Sequence, residues 1–482
     1  MIYFGLAVLA LLVALAVVLV VRALRLKPQA DQNSLPQSEL FIDEKAIARF
    51  QAILQKKTVW PRYLKVDYRE FDSFLPLLKS LYPDLFKHLE VNQINQYGIV
   101  LRWVGQKPLA QPIVLMAHYD VVSAEPEEWI YPPFEAQVHD GIIWARGAVD
   151  TKCIIAALLE ASSHLLKNGF MPKQDIYYSF SNNEETGGDT TPKIVQWLKD
   201  QGISPYLVLD EGGAVVNDLP LGVHKDFALI GVGEKGIADL IISATGEGGH
   251  SSTPSKKDST ARLITALHRI NTHPEKPWLN PALIIMFKSI AAYASFGYRL
   301  VFANLWLFTP IIKKLMSADG ETNAMIRTTT AITQLSGSDT INTLPRNASG
   351  GLSVRILPNE SVDEAVTYIK KMVGSGVDVS IDYRVEPPAI SDYRSKAFSV
   401  IAETVKSIYP QADVTPFLMS GGTDSKHFTT ICRNVYRFGG FALSAKERQG
   451  VHAANESLRV SSFMKGIEFY IQLLRAFNDR EL

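Results

Sequence analysis

A chain of 482 residues is too long for one simple core and predicts two or three domains. Its 47% hydrophobic and 20% charged content excludes a disordered protein. The 49 basic and 49 acidic residues cancel, leaving no basic excess for a nucleic-acid surface, and two distant cysteines, Cys153 and Cys432, make neither a disulfide framework nor a metal motif.

The first predicted element is IYFGLAVLALLVALAVVLVV at 2–21, uncharged and long enough to cross a bilayer as a helix. Arg22, Arg25 and Lys27 follow at once. No basic region precedes the apolar run and PQA at 28–30 is a poor cleavage site, so residues 1–27 predict an uncleaved anchor rather than a secretory signal. The flanking charges favour a cytoplasmic C-terminal side, but a single helix leaves the orientation open. Residues 28–40 are polar, contain two prolines and predict a tether.

A catalytic domain is expected over 41–236 and again over 389–482. Within it GIVLRWVG, QPIVLMAHYD, QDIYYSFSNNEE and PYLVLDEGG are strand-like, and TKCIIAALLEASSHLLKNG and TPKIVQWLKDQG have helical periodicity. The alternation predicts an α/β fold, a mixed sheet flanked by helices. Residues 237–388 change pattern, to strands with helices on one side, and predict an inserted α+β lid. One stretch within it, 281–316, is apolar and aromatic but interrupted by Lys288 and Arg299, which disfavours a second spanning helix. It either packs within the lid or forms a surface that touches a membrane or an acyl chain.

Acids and histidines gather where the predicted strands end. His118 and Asp120 close LMAHYD, Asp150 lies in GAVDTK, Glu184 and Glu185 in NNEETGG, and Asp210 and Glu211 in LVLDEGG. Singly each has an ordinary reading: a hydrogen-bonded histidine, a helix N-cap, a solvated turn. Together, carboxylates converging on one sheet edge would repel, and a divalent cation offsets that repulsion. Mixed histidine and carboxylate donors favour zinc. Asp120 could accept the second ring N–H of His118, and a carboxylate left free of metal could act as general base. If the strand runs on through the glutamate pair, Glu184 and Glu185 point to opposite faces and take different tasks.

MAHYDVV, RGAVDTK, EETGG, LDEGG, GGHSS, TLPRNASGGLSVRILP, GGTDSKHF and VHAANE, in that order, resemble the dizinc peptidases and deacylases that include aminoacylase, carboxypeptidase G and the Gly-X carboxypeptidases. The Gly-X branch, which includes enzymes acting on N-fatty-acyl amino acids, is the most similar. The resemblance implies two zinc ions per subunit about 3.5 Å apart, with cobalt or manganese as substitutes. It implies that Asp150 bridges them, that His118 and Asp210 complete one site, and that Glu185 and His452 complete the other. It further implies Glu184 as general base, His250 as the group that polarises the scissile carbonyl, and a cis Asp150–Thr151 peptide. Asn342, Arg355 and the Gly421–Gly422–Thr423 loop correspond to substrate contacts.

Two residues depart from the family pattern: Asn183 stands where many relatives have an acid, and Lys426 where an arginine is usual. Relatives that place His250 across a subunit boundary make a homodimer through the lid a further expectation. The expected activity is cleavage of the amide of an N-acyl amino acid or short peptide with a free carboxylate. A dipeptidase without acyl-chain preference and a catalytically silent binding protein are the alternatives.

Overall fold

The computed structural model describes residues 1–28, 43, 45–61, 65–107, 110–255 and 258–479, so the expected tether at 28–40 falls almost wholly outside the described residues. The chain opens on helix α1 (Ile2–Arg25), apolar along almost its whole length and long enough to cross a membrane. A hairpin of β1 (Leu89–Ile94) and β2 (Gly98–Trp103) leads into β3 (Ile113–His118), α2 (Lys152–Lys167), β4 (Ile176–Ser181), β5 (Leu207–Asp210) and β6 (Phe227–Glu234). A single residue, Lys235, separates β6 from β7 (Gly236–Thr245). Then come α3 (Ser259–Thr272), α4 (Pro281–Ala291), α5 (Phe296–Ala303), α6 (Leu305–Met316), β8 (Thr329–Ser336), β9 (Asn347–Ile356), α7 (Val362–Val373) and β10 (Val377–Val385). The chain returns through β11 (Asp413–Met419) and β12 (Val435–Arg437) and closes on α8 (Val460–Asp479).

The large sheet runs in the order β1-β2-β4-β3-β5-β12-β6-β11. Its central strands β4, β3, β5 and β12 are parallel, so the ends of β3, β4 and β5 open on one edge. These strands are buried along their full length, as expected for parallel strands covered on both faces. Helix α2 is buried along most of its length and, with α8, forms much of the core beneath them. The second sheet, β8-β9-β7-β10, is antiparallel throughout. Its β7 alternates buried and half-buried residues, and α3 and α7 seal the buried face in a core of their own.

Residues 281–316 do not join that second core. Leu283, Met286, Phe287 and Ile290 of α4, with Phe302 of α5 and Ile312 and Met316 of α6, cluster with Phe227 of β6 against the edge of the large sheet. Of the two readings of this stretch, packing on the inserted sheet is not the one observed. Its inward residues find more apolar surface beside β6 and β11 than on the lid sheet, whose buried face α3 and α7 already cover.

Candidate metal centre

His118, the last residue of β3, is buried, and its Nδ1 lies 3.0 Å from the Asp120 carbonyl oxygen and 3.3 Å from Asp120 Oδ1. That engages one ring nitrogen and turns Nε2 toward the strand ends. Asp120 also accepts the Glu185 backbone N–H on Oδ2 at 3.0 Å, so a single buried carboxylate orients two neighbours. His118 Nε2 lies 2.9 Å from Asp150 Oδ1 and 3.4 Å from Glu211 Oε1. The other oxygen of Asp150 is 3.0 Å from His452 Nε2, which is also 3.0 Å from Glu185 Oε2. One carboxylate thus faces a histidine on each side, the disposition a bridging ligand requires. The Asp150–Thr151 peptide is cis.

Glu184 and Glu185 occupy a single 3₁₀ turn, Glu184–Thr186, beyond the end of β4, so the strand-alternation expectation for the pair is corrected. The turn, not the pleat, directs them, and both still reach the cluster: donor atoms of His118, Glu184 and Glu211 lie within 4.8 Å of one another, as do those of His118, Asp150 and Glu185. The turn closes at Gly187, whose φ of 65° suits glycine and over which the Tyr383 hydroxyl of β10 passes closely. Asn183 packs onto Gly188, where its amide fills the space a side chain would take.

Asp210 is still part of β5, is 3% exposed, and accepts the Ser425 backbone N–H at 3.0 Å. Glu211, one residue past the strand, meets His118 Nε2 at 3.4 Å, where the resemblance led to an expectation of Asp210.

Electrostatics follow the crowding. Burial pushes Glu184 well above the ordinary carboxylate range; Asp424 and Glu211 add to the rise, and His118 and Lys426 oppose it. Burial likewise raises Glu211, with Asp150 adding to it. Burial alone would lower His118, but Glu211, Asp120 and Asp150 carry it well above its usual value. Asp150 and Glu185 push His452 up to about 10. These shifts describe negative charge short of a counter-charge. Two histidines and several carboxylates in this arrangement fit a metal centre.

The acids and His452 line a cavity of about 370 Å³ whose remaining wall is largely apolar, with Cys153, Ile154, Ala214, Met419, Phe441, Leu443, Val451 and Leu458. Gly421, Gly422 and Thr423 also line it. Glu234 holds that loop: its Oε1 accepts the Thr423 N–H at 3.1 Å, and its Oε2 accepts the Thr423 hydroxyl and the Nε of buried Arg437, each at 2.9 Å.

His250, Asn342 and Arg355 are not among the residues lining the cavity. His250 is exposed in a short ribbon, Gly249–His250 against Thr343–Leu344, where the Asn342 carbonyl accepts the Ser251 N–H. Arg355 alternates with buried Val354 and Ile356 in β9, so it points away from the lid core.

Sequence reasoning missed Glu456. Fully buried, it accepts the backbone N–H groups of Gly147 (2.9 Å), Val149 (2.7 Å) and Asp150 (3.1 Å), and Arg146 Nη1 at 2.8 Å, and so holds the loop that carries Asp150. Its only signal was membership of the VHAANE motif, beside His452.

A parallel-centred sheet with a histidine–carboxylate cluster at its strand ends, an adjoining pocket and a second antiparallel sheet defines a metal-dependent hydrolase. The family model described as peptidase family M20/M25/M40 matches residues 114–476, and the chain belongs to that family. It is 32% identical over 414 residues to "Probable carboxypeptidase S-like 2" of Dictyostelium discoideum, covering 84% of this chain and 79% of the relative. It is 31% identical over 397 residues to the Homo sapiens N-fatty-acyl-amino acid synthase/hydrolase PM20D1, covering 80% and 78%. Among solved structures, the family metallo-carboxypeptidase Sso-CP2 of Sulfolobus solfataricus aligns with a TM-score of 0.63 at 17% identity, over 91% of this chain and all of that one. Human carnosine dipeptidase 1 aligns equally well at 15% identity, over 91% of this chain and 97% of that one.

Proposed function

We propose that this metallopeptidase is a membrane-anchored dizinc enzyme that hydrolyses the amide of N-acyl amino acids or short peptides bearing a free carboxylate. The observation that carries it is Asp150, whose two oxygens face His118 and His452, with Glu184 in the same cluster at the mouth of an apolar cavity. His118, Glu211 and one oxygen of Asp150 would hold one ion; the other oxygen, Glu185 and His452 would hold the second. When bound, the ions supply Lewis-acid polarisation of the scissile carbonyl and acidify water.

Glu184 takes the proton of the attacking water and returns it to the departing amine; its raised affinity for protons suits both transfers. Asp120 keeps His118 in the tautomer that leaves Nε2 free. The Gly421–Thr423 loop, fixed by Glu234, meets the substrate carboxylate, and the apolar wall takes a side chain or the first part of an acyl chain. His250 reaches the carbonyl only when the lid closes or a second copy supplies it. Because 281–316 packs on the large sheet, the moving part of 237–388 would be the second sheet with α3 and α7.

Turnover of N-oleoyl-phenylalanine and of Gly-Leu by the zinc-loaded protein tests the reading. Hydrolysis of the first supports acyl amino acids. Hydrolysis of the dipeptide alone favours a plain dipeptidase, a reading that the cavity's volume also supports, since about 370 Å³ lies near the low end of small-molecule pockets. No hydrolysis of either, with zinc bound, leaves the silent binding protein.

A further inference from the structure

Helix α6 carries two adjacent i, i+4 rows. Phe308, Ile312 and Met316 turn inward, and Ile312 and Met316 are buried in the cluster beside β6. The neighbouring row, Leu307, Ile311 and Leu315, turns outward and is just as apolar, with Ile311 55% and Leu315 67% exposed. Trp306 beside it is 56% exposed, and Phe296 and Tyr298 of α5 are exposed as well. A helix at an aqueous surface carries polar residues on its outward row; one that is apolar on both sides is covered by something. Scattered apolar residues need no explanation, but a contiguous patch of this kind marks an interaction surface.

What covers it follows from α1. The Arg22 guanidinium Nε donates to the Ala303 carbonyl at 3.3 Å, and the Asn304 amide donates to the Leu19 carbonyl at 3.0 Å. The junction of α5 and α6 is therefore fixed to the last turns of α1, where the apolar run meets its basic flank. Leu19 and Arg22 are separated by about 4–5 Å along a helix axis, so the junction sits at the depth where a spanning α1 would pass from acyl chains to headgroups. Lys313 and Lys314 close the last turn of α6 and can extend their amines toward anionic headgroups. Trp306, leucines and terminal lysines are the composition of a helix lying in the interface.

We propose that α5 and α6 form a monotopic lipid-binding face that lies in the polar–apolar boundary of the bilayer, beside α1. This rests on reading α1 as a membrane span. The face holds the large sheet down on the membrane at its β6–β11 edge, on which α4 packs and whose Met419 lines the catalytic cavity. Its occupant is phospholipid, not a second copy of the chain.

The test uses the full-length chain in phosphatidylcholine–phosphatidylglycerol vesicles carrying a doxyl quencher high on the acyl chain. A polarity-sensitive fluorophore is attached to single cysteines in the variants Ile311→Cys, Leu315→Cys, Leu12→Cys in α1, and Leu335→Cys on the exposed lid edge; the native Cys153 and Cys432 are buried. The labels at 311 and 315 are expected to lose about half their emission, since interfacial helices lie about 5–10 Å into the headgroup–acyl boundary, while the label at 335 is unaffected. Unquenched labels at 311 and 315 overturn the proposal: with 12 quenched the anchor reading survives, and with 12 also unquenched it falls too. A blue shift at 311 and 315 that tracks protein concentration without quenching assigns the face to a second copy and overturns it. Equal quenching at 335 also overturns it, as nonspecific adsorption.

Discussion

Replacing Glu456 by glutamine tests whether the Asp150 loop is held from beneath. Two donors meet each oxygen of this carboxylate: Arg146 Nη1 and Gly147 N–H on Oε2, Val149 and Asp150 N–H on Oε1. Glutamine keeps one oxygen and puts an amide nitrogen where the other was, so two buried donors lose their acceptor whichever way it turns. Each orphaned donor costs about 1–3 kcal/mol. Glutamine is neutral, so in either orientation the buried Arg146 guanidinium also loses its counter-charge, a loss of about 3–5 kcal/mol for such pairs. These costs overlap, and the expected destabilisation is about 3–5 kcal/mol, read as a lower urea midpoint for the metal-free protein. Because the lost acceptor also fixes the amides of Val149 and Asp150, zinc affinity by calorimetric titration should fall about 10–100-fold. A variant within about 1 kcal/mol of the parent, the size of one ordinary net hydrogen bond, and with unchanged zinc affinity would refute the reasoning.

Glu184→Gln is expected to lower kcat about 10²–10⁴-fold with zinc content unchanged, checked by metal analysis beside the assay; retained turnover removes it as the base. Glu211→Ala should lose one of two bound metals by mass spectrometry or titration. Asp210→Asn should keep both, since its amide oxygen still accepts the Ser425 N–H; the reverse pattern would restore Asp210 as the ligand. In the metal-free protein His452, raised from 6.5 to about 10, contributes stability that is complete below 6.5 and lost as pH climbs through 10. Zinc binding must expel that proton, so apparent zinc affinity should rise between about pH 7 and 9. Proton release measured in buffers of different ionisation enthalpy checks the sign, and a flat profile contradicts it.

Much of this site was legible because hydrophobic strands advertise their ends. His118, Asp150, Glu184 and Glu185 each follow an apolar run or open an apolar helix, and parallel pairing brings those ends to one edge. The choice between Asp210 and Glu211 was not legible, because β5 is buried on both faces and its sequence carries no alternation to mark where the strand stops. His452 lies in an irregular loop at φ 60°, and no local periodicity announces it; the family resemblance alone indicated it. Glu456 acts on Asp150 from 306 positions away, a contact that exists only once the chain is folded. The path of 281–316 escaped for a related reason: composition showed that it was apolar but not which of two cores it would join.

The joint between the two sheets works as a lever with very short arms. Glu234 and Lys235 are consecutive, yet the carboxylate of the first is committed to Thr423 and Arg437 in the large sheet's neighbourhood, while the amine of the second donates to the Arg327 carbonyl at 2.8 Å, just before β8 of the lid. The returning segment is fastened beside it, with the Ser391 N–H on the Val232 carbonyl at 2.8 Å. Any rotation of the second sheet about this point would pull on the backbone between those two side chains, and would reach the loop at Gly421–Thr423 through Glu234. In the proposed enzyme, opening the lid and loosening the grip on a carboxylate would be, mechanically, one motion.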